Sequence, residues 1–478
     1  MYKSNFNKTK IIATIGPATS SKENLLKIIH AGVDVCRLNF SHGSHQDHAQ
    51  VINHVKEINK ELNSDICLLM DLQGPKLRVG LIENEGVELV NGSEVILTSD
   101  EMIGNAQKFC IRYVNLTNDV KPGESILIDD GKIEIKIIEV LNEKEVKAVV
   151  VEGGILKSKK GFNLPQTDVS FPSLTPKDIE DLEFGLKQGV EWVALSFVRK
   201  AEDVIDLKRR IKEHGCDALV IAKIEKPEAV KNIDSIIEVS DGIMIARGDL
   251  GVEMPLQDLP IIQKNTIEKC IAASKPVVVA TQMMETMIFN PTPTRAEVSD
   301  VANAVIDGAD AVMLSAETSV GNFPVKVVET MEKIIRDVEK DKRVYYKGIK
   351  PSSNSQTFIS DEICFTAVRM SDHLKAKAIV GMTRSGYSAN KISSFRPKAN
   401  IFIFTNNQPI LKTMNLVWGV RGFYYEKEES TDATFSDVIN ILKDNKLVLE
   451  NDLVIHTASM PIQKKSMANS IKISVVEK

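Results

Sequence analysis

From the N-terminus to about residue 340, hydrophobic positions fall into short unbroken runs, each closed by a polar residue or a glycine. Five of them are KIIATIGP, ICLLMDLQG, ALVIAKIE, GIMIARGD and KPVVVATQ. Three more resemble one another closely: GVDVCRLN (32–39), GVEWVALS (189–196) and GADAVMLS (308–315). Each of these three follows a stretch with helical periodicity and reads as a helix-ending glycine, then a buried strand that finishes on a polar residue. Helix starts are signalled as well. Ser20 with Glu23 fits a capping box, and Thr175-Pro176 places proline in a first helical turn. Eight strand–helix units predict an α/β fold, a (β/α)8 TIM barrel, in which chemistry collects at the C-terminal ends of the strands. Thr14, Arg37, Asp71, Ser196, Lys223, Arg247, Thr281 and Ser315 mark those ends. Six of the seven successive spacings lie between 23 and 34 residues, and the outlier, between Asp71 and Ser196, is 125.

The long spacing holds an insertion of different texture, 77–169. RVGLIE, EVILTS, CIRYV, SILID and KIEIKIIEV alternate with period two and are separated by NGS, DDG and EGG turns, which predicts a small β-barrel perched on the larger one as a lid. After Asp341, KAIVGMT, NIFIFTN, GFYYEK and DLVIHTA are strands separated by helical stretches, so 346–478 reads as a C-terminal α/β domain with an open sheet. The catalytic barrel is then 1–76 with 170–345.

Composition narrows the partners. The 478 residues are 43% hydrophobic and 26% charged, with a net charge of −5 and both signs interspersed. No basic field argues for nucleic acid or anionic lipid, so small-molecule ligands are expected. No apolar run is long enough to span a bilayer, and MYKSNFNKTKIIATIGP lacks a signal-peptide core. Six cysteines without C-x-x-C pairing read as reduced thiols, and a cytoplasmic location is expected.

The chemistry gathers at two adjacent strand ends. Lys223 and Glu225 sit two apart on one strand and point to the same side. Asp249 lies at the end of the next strand, inside RGDLG. A buried salt bridge accounts for the first pair alone, but two carboxylates on adjacent strands without cysteine or histidine form an oxygen-ligand site suited to Mg²⁺ or Mn²⁺. Arg37, Arg78, Arg247 and Lys223 are expected to ring the same mouth, and the Gly248-Asp249 step opens a helix whose free amides can receive an anion. Such equipment fits phosphoryl transfer best, with a metal-dependent lyase or aldolase acting on an enolate as the alternative.

In chain order, TKIIATIGPAT, CRLNFSHG (36–43), DLQGPKLR (71–78), SKKGFNLP (158–165), IAKIEKPEA (221–229), MIARGDLGVE (244–253), ATQMMETM (280–287), PTRAEVSDVANAV (293–305) and MLSAET (313–318) resemble the pyruvate kinase family over essentially the whole chain. The resemblance implies transfer of phosphate from phosphoenolpyruvate to ADP, giving pyruvate and ATP in glycolysis. It implies Mg²⁺, for which Mn²⁺ can substitute, on Glu225 and Asp249, and the substrate phosphate on Arg37 and Lys223. By the same resemblance Lys223 stabilises the enolate oxygen, while Gly248, Asp249 and Thr281 seat the carboxylate. Thr281, Ser315 and Glu317 line the face from which enolpyruvate is protonated. Asn39, His42, Arg78 and Lys160 match nucleotide positions, and a homotetramer is implied. A catalytically silent relative should lack one of Arg37, Lys223, Glu225, Asp249 or Thr281, and none is missing.

Two segments depart from the family pattern. Where K⁺-dependent members carry Asp-Thr-Lys-Gly-Pro-Glu, this chain has Asp71-Leu72-Gln73-Gly74-Pro75-Lys76. Leu72 offers no oxygen, and Lys76 brings a fixed positive charge in place of glutamate, so the chain resembles the K⁺-independent branch with Lys76 as the cation's surrogate. Asn39, Ser41, Asp71 and Leu72 are then former monovalent-cation positions. In the C-terminal domain, Thr383, Arg384, Ser385 and Ser388 match the family's sugar-phosphate effector segment, although a plain helix cap accounts for them too. The facing loop, Ser459–Asn469, lacks the usual glycines and carries Lys464 and Lys465. That argues against fructose bisphosphate as activator and leaves room for another phosphorylated effector.

Overall fold

Runs of valine, isoleucine and alanine buried on both faces suit strands covered on each side, and the chain uses eight of them to close a ring. A computed structural model describes residues 6–167, 169–427, 430–460 and 467–477. The ring comprises β1 (Lys10–Ile15), β2 (Val35–Asn39), β3 (Cys67–Asp71), β4 (Trp192–Leu195), β5 (Leu219–Ile224), β6 (Gly242–Ala246), β7 (Val277–Ala280) and β8 (Ala311–Leu314). Neighbours pair in parallel and in chain order, and β1 meets β8 from Lys10↔Ala311 to Ala13↔Leu314. Ile12, Val35, Leu69, Trp192, Ile221, Met244 and Val278 fill the interior, so the barrel is a packed core and not a channel. Every strand-end residue expected from the spacing lies within two positions of an observed strand end.

Helix starts follow the expected chemistry with one correction. Thr175 and Asp178 form a reciprocal capping box ahead of Pro176. The helix Lys22–Ala31, however, is capped by Ser21, which accepts from the Asn24 amide, and not by Ser20. Ser20 donates its own amide to Gly16 O in the preceding turn, and Glu23, one residue too early for a box with Ser21, pairs with Lys27 instead.

The insertion follows β3 and rejoins the ring at β4. Its main sheet runs in the order 162–163, 125–128, 133–140, 145–152, 94–98, 108–110. The open edges meet through two bridges, Arg78↔Gly161 and Val79↔Ile111, so the small barrel closes through isolated pairs instead of a full strand. Glu145–Glu152, a central strand, was absent from the expected runs, and CIRYV contributes only Cys110 to a strand. Leu97, Phe109, Ile126, Ile135 and Val146 form its separate core.

The C-terminal sheet has five strands, β9 (Ala378–Met382), β10 (Asn400–Thr405), β11 (Val420–Tyr424), β12 (Leu453–Ala458) and β13 (Ser470–Val475), in the order β11-β10-β9-β12-β13. The first four are the expected ones. The fifth is antiparallel to β12 and was not anticipated, although SIKISV alternates polar and apolar residues with period two. This sheet is anchored to the barrel floor by Arg396, which donates to Asp310 Oδ2 and Gly308 O at 2.8 Å each. Among the described residues no helix is long and apolar enough to cross a membrane.

Candidate active site

Four strand ends, those of β2, β3, β5 and β6, bring the charged residues together. Lys223 Nζ lies 2.8 Å from Glu225 Oε1 and 3.3 Å from Asp71 Oδ1, and donates to Ser196 Oγ at 2.7 Å. Arg37 Nε donates to Asp71 Oδ2 at 2.7 Å, and its NH1 to Thr14 Oγ1 at 2.8 Å. Asp71 thus orients both cations from below, with 1% of its side chain exposed. Burial disfavours the Lys223 ammonium, but Asp71, Glu225 and Asp249 outweigh it and hold the amine above its ordinary value. Burial likewise pushes Asp71 up, and Lys223 with Arg37 prevails and lowers it.

Glu225 behaves differently. Burial raises its carboxyl, Lys223 opposes the rise, and the charge of Asp249 adds to it. The buried Glu225 and the half-buried Asp249 therefore repel each other, which is the condition a divalent cation relieves. Both offer oxygen only, with no thiol or imidazole beside them, so the donor set fits a hard divalent ion. Glu225 Oε2 also accepts the Phe197 amide at 2.7 Å, and Phe197 holds a φ of 54° to present it. Sequence reasoning missed this donor, for which a phenylalanine gives no signal.

The Gly248-Asp249 step does open a short helix, Arg247–Glu253. Its amides are less free than expected, since Gly248 N donates to Thr281 Oγ1 at 2.7 Å. Thr281 sits at a φ of 68°, followed by Gln282 at 56°, a left-handed pair beginning with a β-branched residue. Arg247 corrects another expectation. It does not face the mouth as an anion receptor but grips Asp300 in a bidentate pair (2.6 and 2.7 Å) and donates to Thr281 O at 2.7 Å. Its work is to hold the Thr281 backbone, and Asp300, inside PTRAEVSDVANAV (293–305), is a partner whose pairing the sequence did not announce. Ser315 follows β8, and its amide donates to Glu317 Oε2 at 2.6 Å. Burial raises the Glu317 carboxyl despite backbone donors from Ser315 and Met284.

The remaining positions are more dispersed. Asn39 Oδ1 accepts the Ser41 amide at 3.1 Å, and His42 is exposed on the same loop. Arg78 NH1 donates to Lys159 O at 3.0 Å, and Lys160 pairs with Asp129 at 2.8 Å, so both belong to the rim of the insertion. Leu72 is buried, whereas Lys76 is exposed and makes no ion pair among the described residues. A cleft of about 990 Å³ between the barrel floor and the C-terminal sheet is lined by Thr383, Arg384, Ser385 and Ser388. The Thr383 and Ser385 hydroxyls accept the Gly386 and Tyr387 amides at 3.0 and 3.4 Å, as in a helix-capping turn. Of the facing loop, 461–466, including Lys464 and Lys465, lies outside the described residues.

Known proteins share this architecture. Residues 6–328 match the model of the pyruvate kinase barrel domain, and 361–474 that of the pyruvate kinase alpha/beta domain. The chain belongs to the pyruvate kinase family. The pyruvate kinase of Bacillus licheniformis is 42% identical over 98% of this chain and 80% of its own length. That of Geobacillus stearothermophilus is 41% identical with the same shares. A crystal structure of a pyruvate kinase from Cryptosporidium parvum superimposes with a TM-score of 0.92 at 34% identity, covering 98% of this chain and 96% of that one. Membership makes the chain an enzyme with pyruvate kinase activity, using phosphoenolpyruvate and ADP and forming pyruvate, with the family's general dependence on a divalent metal.

Proposed function

We propose that Glu225 and Asp249 hold a Mg²⁺ ion, that Arg37 and Lys223 bind the phosphate of phosphoenolpyruvate, and that the enzyme turns over without K⁺. The observation that carries the reading is the joint placement of Lys223 and Arg37 on Asp71, beside two carboxylates that repel each other. A divalent cation there supplies positive charge against the phosphate and enolate oxygens. Arg37, fixed at both ends by Asp71 and Thr14, presents its remaining edge to a phosphate without paying for reorientation. Lys223 stays fully protonated and is aimed where charge develops on the enolate oxygen. Asp249 N and the Thr281 hydroxyl seat the carboxylate, and Thr281, Ser315 and Glu317 order the water that protonates the enolate. The insertion 77–169 acts as a lid that carries Arg78 and Lys160 to the nucleotide phosphates, with Asn39 and His42 on the barrel side.

K⁺ independence is supported by Leu72, a buried apolar side chain where an oxygen ligand would stand. Lys76 supplies its charge from an exposed position, so its influence should weaken with salt. The C-terminal cleft takes a phosphorylated effector other than fructose bisphosphate, and four chains assemble into a tetramer. The test is pyruvate and ATP formation from phosphoenolpyruvate, ADP and Mg²⁺ in K⁺-free buffer. Equal yields of both products support the reading, and loss of turnover without K⁺ sinks the cation part of it. Leu72→Thr combined with Lys76→Glu should create a K⁺ requirement. A leftward shift of the phosphoenolpyruvate curve by fructose bisphosphate would overturn the effector reading.

A further inference from the structure

A buried three-residue contact joins the insertion to the helix that carries Asp249. Glu253 closes that helix, four residues after Asp249, and 1% of its side chain is exposed. Its Oε1 accepts from Lys226 Nζ at 2.6 Å and from Asn163 Nδ2 at 2.7 Å, while Oε2 is buried without a hydrogen-bond partner among the described residues. Lys226 directly follows Glu225. Asn163 belongs to the insertion's edge strand, paired with Leu127, and lies three residues from Lys160. One carboxylate oxygen thus ties together the strand end bearing Glu225, the helix bearing Asp249 and the domain bearing Lys160.

Stability alone is a poor account of this arrangement. A buried ion pair often does no better than apolar residues of the same size, and an unpartnered carboxylate oxygen carries a desolvation cost. Placement is the better account, because every group in the contact adjoins a functional element. We infer that Asn163, Glu253 and Lys226 form a positioning latch that couples docking of the insertion to the spacing of Glu225 and Asp249, and so to divalent-cation affinity. The inference rests on the reading of those two carboxylates as the metal site. When the insertion moves away, the Asn163 bond is lost and Glu253 is left to Lys226 alone. By linkage, cation binding favours the docked insertion to the same degree that docking favours the cation.

The test compares full-length wild type with Asn163→Ala, Glu253→Gln and Asp249→Asn, using Mn²⁺ without substrates. Mn²⁺ binding is followed by electron paramagnetic resonance, and hydrogen exchange over 158–167 is measured with and without Mn²⁺. Asn163→Ala should weaken Mn²⁺ binding by about fivefold or more, the lower edge of ordinary coupling between sites, and abolish the Mn²⁺-induced protection of 158–167. Glu253→Gln, which alters the barrel side only, should weaken binding as well and supplies the same readout if the insertion tolerates no change at 163. Wild-type affinity in Asn163→Ala, or weakened affinity with the protection response intact, overturns the latch. If wild type and Asp249→Asn bind Mn²⁺ alike, the metal site itself is misplaced; if only Asp249→Asn is defective, the latch alone falls.

Discussion

Lys223 shows how a buried amine is kept charged. Its neighbours Asp71, Glu225 and Asp249 outweigh burial, and Asp71 does so while also holding Arg37. Replacing Lys223 with Met should lower kcat by about 10²–10³, the usual effect of removing one donor to a developing oxyanion, while Mn²⁺ binding becomes no weaker because Glu225 loses a competitor. Steady-state kinetics with phosphoenolpyruvate and a Mn²⁺ titration check both halves. These charges were legible in the sequence because residue type and period-two spacing on a buried strand fix both chemistry and direction. Asp300 was not, since it reaches Arg247 from 53 positions away and lies in a helix face that reads as solvated. Lys76 shows the opposite limit: its charge was visible in the sequence, but its exposure was not.

At the scale of elements, the turn after β7 depends on an outside brace. Thr281 and Gln282 hold left-handed backbone angles, of a kind that costs roughly 1–3 kcal/mol each, and the Arg247–Asp300 pair secures the Thr281 carbonyl. Asp300→Ala frees Arg247, and kcat/KM for phosphoenolpyruvate should drop by about tenfold or more with little change in the nucleotide KM. Kinetics with each substrate varied in turn distinguish this from a general loss of stability. β12 carries a different liability. His456 lies buried against Phe435 with neither ring nitrogen bonded among the described residues, and burial, aided by Lys472, lowers its pKa from 6.5 to about 4. The unfolded chain therefore takes up the proton first, so stability falls as pH drops from 6.5 towards 4 and levels off below. The loss is about 3 kcal/mol at one proton and 1.36 kcal/mol per pKa unit. His456→Leu should flatten that pH dependence in denaturant melts while remaining neutral or stabilising at pH 7.5. The strands around both sites were readable from apolar runs; the left-handed turn and the unbonded histidine arise from packing that no local pattern encodes.

For the molecule as a whole, the eightfold repeat was the most legible feature, because each unit restates the same helix end, buried run and polar finish. The closure of the insertion was harder to read, since it depends on single bridges, and the antiparallel edge at β13 was missed although SIKISV alternates with period two. The joint between barrel and C-terminal sheet includes a buried ion pair, Arg396–Asp310, whose side chains are 2% and 4% exposed, beside Lys412–Glu191 and the bonds of Lys8 and Lys10 to Ala399 O and Val420 O. Arg396→Met strands a buried carboxylate and should cost about 3–5 kcal/mol, and by calorimetry the variant should melt at a lower temperature than wild type. The barrel's closure also has a cost measured in time. Thr14 reaches Leu314 across 300 residues of chain, so β1 leaves the ribosome long before its mate on that side exists. At about 5–20 residues per second the wait is roughly 15–60 s. Throughout it the nascent chain presents an unmated apolar strand edge, and a translation system stripped of chaperones is where soluble yield should fail first.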